Sequence, residues 1–148
     1  MKVYLDVCCL NRPFDDYAQD RVRLESEAVL TILDYTQSRK WVLIGSEVID
    51  IEISKIPDND RKCKVKILID MKQKFITVND DIENRPKELE KLGFKSFDAL
   101  HIVCAEKSEA DILLTTDDNF LSKASQNRNM LKVRVENPLK WLMEVIEK

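Results

Sequence analysis

The chain has 148 residues, 44% of them hydrophobic and 34% charged, with a formal net charge of −3, a length and balance that suit one domain spanning 1–148. Net acidity argues against nonspecific coating of nucleic acid, and the apolar runs fall well short of the ~20 residues a membrane-crossing helix requires. Four cysteines without a C-x-x-C pair and a single histidine, His101, exclude a tetrahedral zinc set. With no basic segment leading into a signal-length apolar core, a cytoplasmic location is expected.

KVYL at 2–5 predicts a first strand, interrupted by Asp6 before Val7, Cys8, Cys9 and Leu10 resume the apolar run. A carboxylate placed there is costly without a partner. A helix is expected near 19–38, then a strand in WVLIG at 41–45 and helices near 46–56 and 59–73. RKCKVK at 61–66 reads as the wet side of that last helix. KFITV at 74–78 is the third strand, followed by helices near 79–92 and 96–109. DILLT at 111–115, a helix near 118–126, KVRVE at 132–136 and a helix at 138–147 complete the chain. The cysteines are expected reduced and buried, and His101 to be satisfied by a local hydrogen bond.

Short apolar strands separated by helices predict an α/β fold, a three-layer α/β/α sandwich on a parallel sheet. There is no G-x-G-x-x-G or P-loop. Ligands in such sheets bind beyond the carboxyl ends of the strands, where strand order reverses. Asp6 stands at such an end.

Three further acids join it, each with an ordinary explanation when taken alone. Asp117, after the fourth strand, reads as a helix N-cap worth ~1 kcal/mol. Asp98 falls in the first turn of a helix capped by Ser96, where the dipole favours a carboxylate by roughly 0.3–1 kcal/mol. In IGSEVIDIEISKI, Ser46 caps a helix whose buried face is Ile49, Ile53 and Ile56. Glu52 lies about 60° from the middle of that face, whereas Glu47 points nearly opposite, into solvent. Together, four carboxylates at one end of a sheet would repel, and a hard divalent cation removes the conflict. Oxygen ligands without histidine or thiolate suit Mg²⁺ or Mn²⁺.

VYLDVCCLNRP, SEVIDIE, SFDALHIVCAE and LLTTDDNF, in this order, resemble a PIN-domain nuclease of the VapC-like type II toxin kind over nearly the whole chain. Thr115, Asp117, Asn119 and Phe120 match the family's T-x-D-x-[DN]-F pattern, which leaves Asp118 outside it. The resemblance implies a five-stranded parallel sheet of order 3-2-1-4-5 and a Mg²⁺- or Mn²⁺-dependent endoribonuclease acting on RNA. It also implies a homodimer and inhibition by an antitoxin protein. On this reading Asp6, Asp98 and Asp117 hold or orient the metal and Glu52 completes the catalytic set. Thr115 and Asn119 position water or ligands, and Arg12 and Lys55 reach phosphate, with ordinary surface charge as the alternative for both. The family's Asp-Thr/Ser-Asn start is replaced by Asp6, Val7 and Cys8, so Asn11 is the candidate to replace the missing amide.

Three other readings compete. A haloacid-dehalogenase-type phosphatase requires a second Asp where Cys8 stands, and a receiver domain leaves SFDALH without a purpose. A catalytically inactive PIN-like protein-interaction module would use the same acids only as caps.

Overall fold

The structure is a computed structural model that describes residues 1–78 and 84–147. Five strands, β1 (Lys2–Leu5), β2 (Val42–Ser46), β3 (Lys74–Ile76), β4 (Ile112–Leu114) and β5 (Val135–Glu136), form one parallel sheet of order β3-β2-β1-β4-β5. The expected α/β architecture and strand order are therefore both present. The central strands β1 and β4 are apolar and almost wholly buried, as strands covered on two faces must be.

Helices α1 (Val7–Asn11), α2 (Asp20–Gln37), α3 (Glu47–Ser54), α4 (Asn59–Ile69), α5 (Asn84–Lys91), α6 (Ser96–Lys107), α7 (Asp118–Gln126) and α8 (Pro138–Ile146) surround the sheet. The chain runs outward from β1 to β2 and β3, then returns across the sheet to β4 and β5. Because parallel crossovers are right-handed as a rule, these opposite directions of travel put α2 and α6 on opposite faces of the sheet. Strand order thus reverses between β1 and β4. On the α2 face, Trp41 lies 4.8 Å from Tyr35 and 5.0 Å from Trp141 between ring centroids, which ties α8 to α2 and the start of β2.

Several local expectations change. The apolar run Val7 to Leu10, for which no element was expected, forms α1, where the chain turns at Asp6 and buries Val7, Cys9 and Leu10. Ser96 is the first residue of α6 and not its cap. Lys95 takes the cap position, and no side chain bonds the helix start. The fifth strand is only two residues long, and α4 stops at Ile69, four residues early. Positions 79–83 of the helix expected near 79–92 lie outside the described residues. Cys9 and Cys104 are buried as expected, but Cys8 and Cys63 are exposed, and all four are free thiols.

Three helix ends share one device. At α5, Phe94 N–H donates to Leu89 O at 3.3 Å and Gly93 N–H to Glu90 O at 3.0 Å, with Gly93 at φ 107°. The paired bonds and the left-handed residue form a Schellman motif, closed by contact between buried Leu89 and Phe94. The same pair of bonds ends α2 at Arg39, φ 65°, and α6 at Glu109, φ 57°, where a Cβ makes the conformation costly. Glu109 is exposed, so Glu109→Gly is expected to stabilise the fold by about 0.5–1 kcal/mol, part of the relief being offset by glycine's unfolded-state entropy. A thermal melt showing no rise in midpoint would contradict this.

Candidate active site at the sheet switch point

The ladder between β1 and β4 continues one residue past the strands. Asp6 N–H donates to Leu114 O at 3.1 Å, which sets Asp6 beside Thr115 where strand order reverses. The Asp6 carboxylate is only 3% exposed. Its Oδ1 accepts the Cys9 N–H at 3.0 Å, so Asp6 also caps α1. Asp117 caps α7, its Oδ1 accepting from Asn119 N–H at 2.9 Å and Phe120 N–H at 3.4 Å. The ordinary explanation for Asp117 is thus correct as far as it goes, and Asp6 is a cap as well. Each cap uses Oδ1, and Asp117 Oδ2 has no hydrogen bond among the described residues.

Burial and mutual repulsion distinguish these acids from plain caps. Burial raises the Asp6 pKa to about 6, opposed by the His101 charge and by hydrogen bonds from Thr115 and Cys9. Asp98, half-buried in the first turn of α6, is raised to about 7, first by desolvation and then by Asp6 and Asp117. Glu52 adds a further upward push to both. The thiol of Cys8 is pushed up by its partial enclosure and then by Asp6, Glu52, Asp117 and Asp98 together. All four acids thus act on the same thiol. Cys8 is nevertheless exposed, so its alkylation is expected to be slow because partial enclosure and the acids keep the thiol protonated. Asp98→Asn should accelerate iodoacetamide labelling of Cys8, followed by peptide mass spectrometry. An unchanged rate would mean that Asp98 does not act on this thiol.

Beneath the acids runs a hydrogen-bonded chain that the sequence did not reveal. His101 Nε2 lies 2.6 Å from Glu52 Oε1, and its Nδ1 lies 2.7 Å from the Tyr4 hydroxyl, which is 2.8 Å from Ser46 Oγ. An ionised Glu52 only accepts, so the His101 Nε2–H donates to it, and the Tyr4 hydroxyl links Nδ1 to Ser46. Ser46 Oγ closes the chain by accepting the Ile49 N–H at 3.1 Å, the expected cap of α3. Tyr4, Ser46 and His101 are all essentially buried. His101 is therefore satisfied across the fold, not locally, and it orients Glu52.

The supporting residues divide. Thr115 is buried, accepts the Asp117 N–H at 3.1 Å and holds Asp6 down, so it joins two of the acids. Asn119 is exposed at the first turn of α7 beside Asp117. Asn11 does not replace the missing amide as expected. Its Nδ2 donates to Val7 O at 3.0 Å and its Oδ1 accepts from Arg61 at 3.3 Å, which commits both ends of the side chain. Arg12 likewise faces Glu25 at 2.8 Å and Asp15 at 3.2 Å instead of an open cleft. Lys55 is exposed, with its ammonium 4.9 Å from the centre of the Phe97 ring. Asp118, left outside the set, pairs with Arg21 at 2.7 Å, and Arg21 also bonds Thr116 O at 3.1 Å. Arg21 thereby braces the loop that carries Asp117, a role sequence alone did not suggest.

The donor chemistry fits a hard cation: all candidate atoms are carboxylate oxygens, and Asp98 makes no hydrogen bond or ion pair among the described residues. The arrangement is looser than a chelating cage. Among the described residues, no group of three or more His, Cys, Asp and Glu side chains stands close enough to hold a metal ion. Cavities divide similarly. One of about 730 Å³ between α7 and β5 borders none of the four acids. A smaller one of about 220 Å³ has Asp98 and Asn119 in its wall.

No protein-family model matches the chain, and no curated protein does. Among solved structures, the chain is similar to that in the crystal structure of PAE2754 from Pyrobaculum aerophilum, with 13% identity and a TM-score of 0.57. The match covers 100% of this chain and 91% of that one. At such identity the likeness establishes the shared fold. No helix among the described residues is long and apolar enough to cross a membrane.

Proposed function

We propose that the chain is a Mg²⁺- or Mn²⁺-dependent endoribonuclease of the PIN-domain type, acting as the cytoplasmic toxin of a type II toxin–antitoxin pair. The feature that supports it most is that Asp6, Asp117 and Glu52 all push the Asp98 carboxyl up, beside the point where strand order reverses. Such repulsion is a standing cost to the fold, and cation binding is the chemistry that offsets it. Asp6, Asp98 and Asp117 would hold the ion, with Glu52, oriented by His101, completing the set. A bound divalent ion supplies charge neutralisation at phosphate and a lower pKa for an attacking water. The protein's part is to keep the carboxylates aligned, Thr115 fixing Asp6 and Asp117 relative to each other. An antitoxin partner and a homodimer belong to the same proposal.

A second reading has its own support. The absence of a chelating group among the described residues and the Cys8 substitution favour an inactive PIN-like interaction module. Incubation of the purified chain with mixed-sequence RNA separates the two. Cleavage in Mn²⁺ that stops in EDTA and in Asp6→Asn supports the nuclease. Intact RNA, together with flat Mn²⁺ calorimetry, leaves the module.

A further inference from the structure

The smaller cavity has Asp98 in its wall, and the other charged residues that line it, Lys95 and Lys123, are basic. Lys95, at the cap position of α6, and Lys123, from α7, face it, with Asn119 and Ser122 adding an amide and a hydroxyl. The edge-to-face pair Phe94 and Phe120, 6.0 Å apart between centroids, forms the buried floor. Lysines that form ion pairs among the described residues are Lys64, Lys72 and Lys140, so Lys95 and Lys123 carry charges without an acidic partner there.

Two features keep the site open and positive. Lys123 lies across Gly93, where an added Cβ would meet its Nζ at 2.9 Å. The glycine that ends α5 is thus also what admits the ammonium to the cavity wall. The twelve-residue α6 begins without a side-chain cap, so its first-turn N–H groups have no side-chain acceptor. Uncapped N–H groups at a positive helix end, beside two unpaired ammonium groups, favour an anion. Asp98 stands at the boundary between this cavity and the acid cluster, which makes the two sites neighbours.

We propose that this cavity is a phosphate subsite: it receives, on Lys95, Lys123 and the first turn of α6, the RNA phosphodiester that flanks the one presented to the acids. The inference rests on the nuclease reading for its ligand, and it assigns the strand a direction past the acids. The buried faces of Phe94 and Phe120 leave no ring to stack a base, so recognition here is of backbone charge.

The test uses a fluorescein-labelled 2′-O-methyl RNA tetranucleotide, which binds without being cut, with fluorescence anisotropy in EDTA over a series of salt concentrations. Lys95→Gln with Lys123→Gln is expected to weaken binding about tenfold, as the loss of charge-assisted contacts does. The slope of log K against log salt should fall by about 0.7, the loss of one neutralised phosphate on a single strand. A control pair, Lys132→Gln with Lys140→Gln in the other groove, should change little. Equal affinity for parent and first variant, an equal loss in the control, or no binding by the parent would each overturn the subsite. Cleavage of ordinary RNA in Mn²⁺ is scored separately. A parent that binds through the two lysines yet cuts nothing removes the nuclease reading and leaves the subsite, whereas cutting without lysine-dependent binding does the reverse.

Discussion

Asp98→Asn is expected to lower the rate of Mn²⁺-dependent RNA cleavage by a factor on the order of 10³, while making the metal-free protein more stable. The two effects share one cause. Asp98 is half-buried, lacks a bonding partner among the described residues, and sits in the field of Asp6, Asp117 and Glu52. Its charge is therefore unfavourable to the empty fold and useful only to a bound cation. The sign in pH follows from linkage. Asp6 and Asp98 have folded pKa values raised to about 6 and about 7, from 3.8. Their contribution to stability is complete below the unfolded value and is lost as pH rises through the folded ones. For buried Asp6 that loss is about 3 kcal/mol, and for the more exposed Asp98 roughly 2 kcal/mol after discounting for solvent screening. The stability advantage of Asp98→Asn over the parent should thus grow between pH 4 and pH 8 in EDTA and shrink when Mn²⁺ is added. Urea denaturation of both proteins across that range measures it. A constant or narrowing difference in EDTA would mean that Asp98 carries no such burden.

Glu25→Ala should cost about 3 kcal/mol, far more than an exposed helix ion pair, and lower the thermal midpoint by roughly 10 °C. Glu25 looks ordinary in sequence, where Arg21 and Glu25 form an i,i+4 pair of the kind worth ~0.3–0.5 kcal/mol at a surface. Its carboxylate is instead 2% exposed and accepts from Arg12 at 2.8 Å, Arg21 at 3.1 Å and Asn137 at 2.6 Å. It fastens the segment after α1, the start of α2 and the cap of α8 to one another. Truncation leaves Arg12 with Asp15 alone and Asn137 Nδ2 without an acceptor, and the penalty comes from those stranded donors. Arg21 would also loosen, and with it the Thr116–Asp118 turn beside Asp117. Calorimetry reads the first effect, and a midpoint shift of only a degree or two would reassign Glu25 to the surface.

The candidate acids were legible because each belongs to a short stretch with a local rule. Asp6 ends an apolar strand, Asp117 starts a helix after another, and Glu52 has a helical phase fixed by Ser46 and three isoleucines. Mistaken supporting residues came from extending local logic to side-chain partners. Asn11 and Arg12 follow Asp6 closely in sequence, but α1 and the turn after it carry both away, to Arg61 and to Glu25. Ser96 resembled a cap, yet the helix starts at Ser96 itself, with Lys95 before it.

By itself the sequence determined the alternation of strand and helix, the apolar β1 and β4, and the placing of carboxylates at their ends. Hydrophobic period and chain punctuation act over a few residues, so one stretch suffices to read them. Only the tertiary structure decided that His101 links Glu52 to Tyr4 and Ser46, that Glu25 is buried, and that Lys95 and Lys123 share a cavity with Asp98. Those partners stand 49, 97 and 42 positions apart along the hydrogen-bonded chain. At such separations the pairing of polar groups is set by which helices pack together over the sheet, and packing is a property of the whole chain at once.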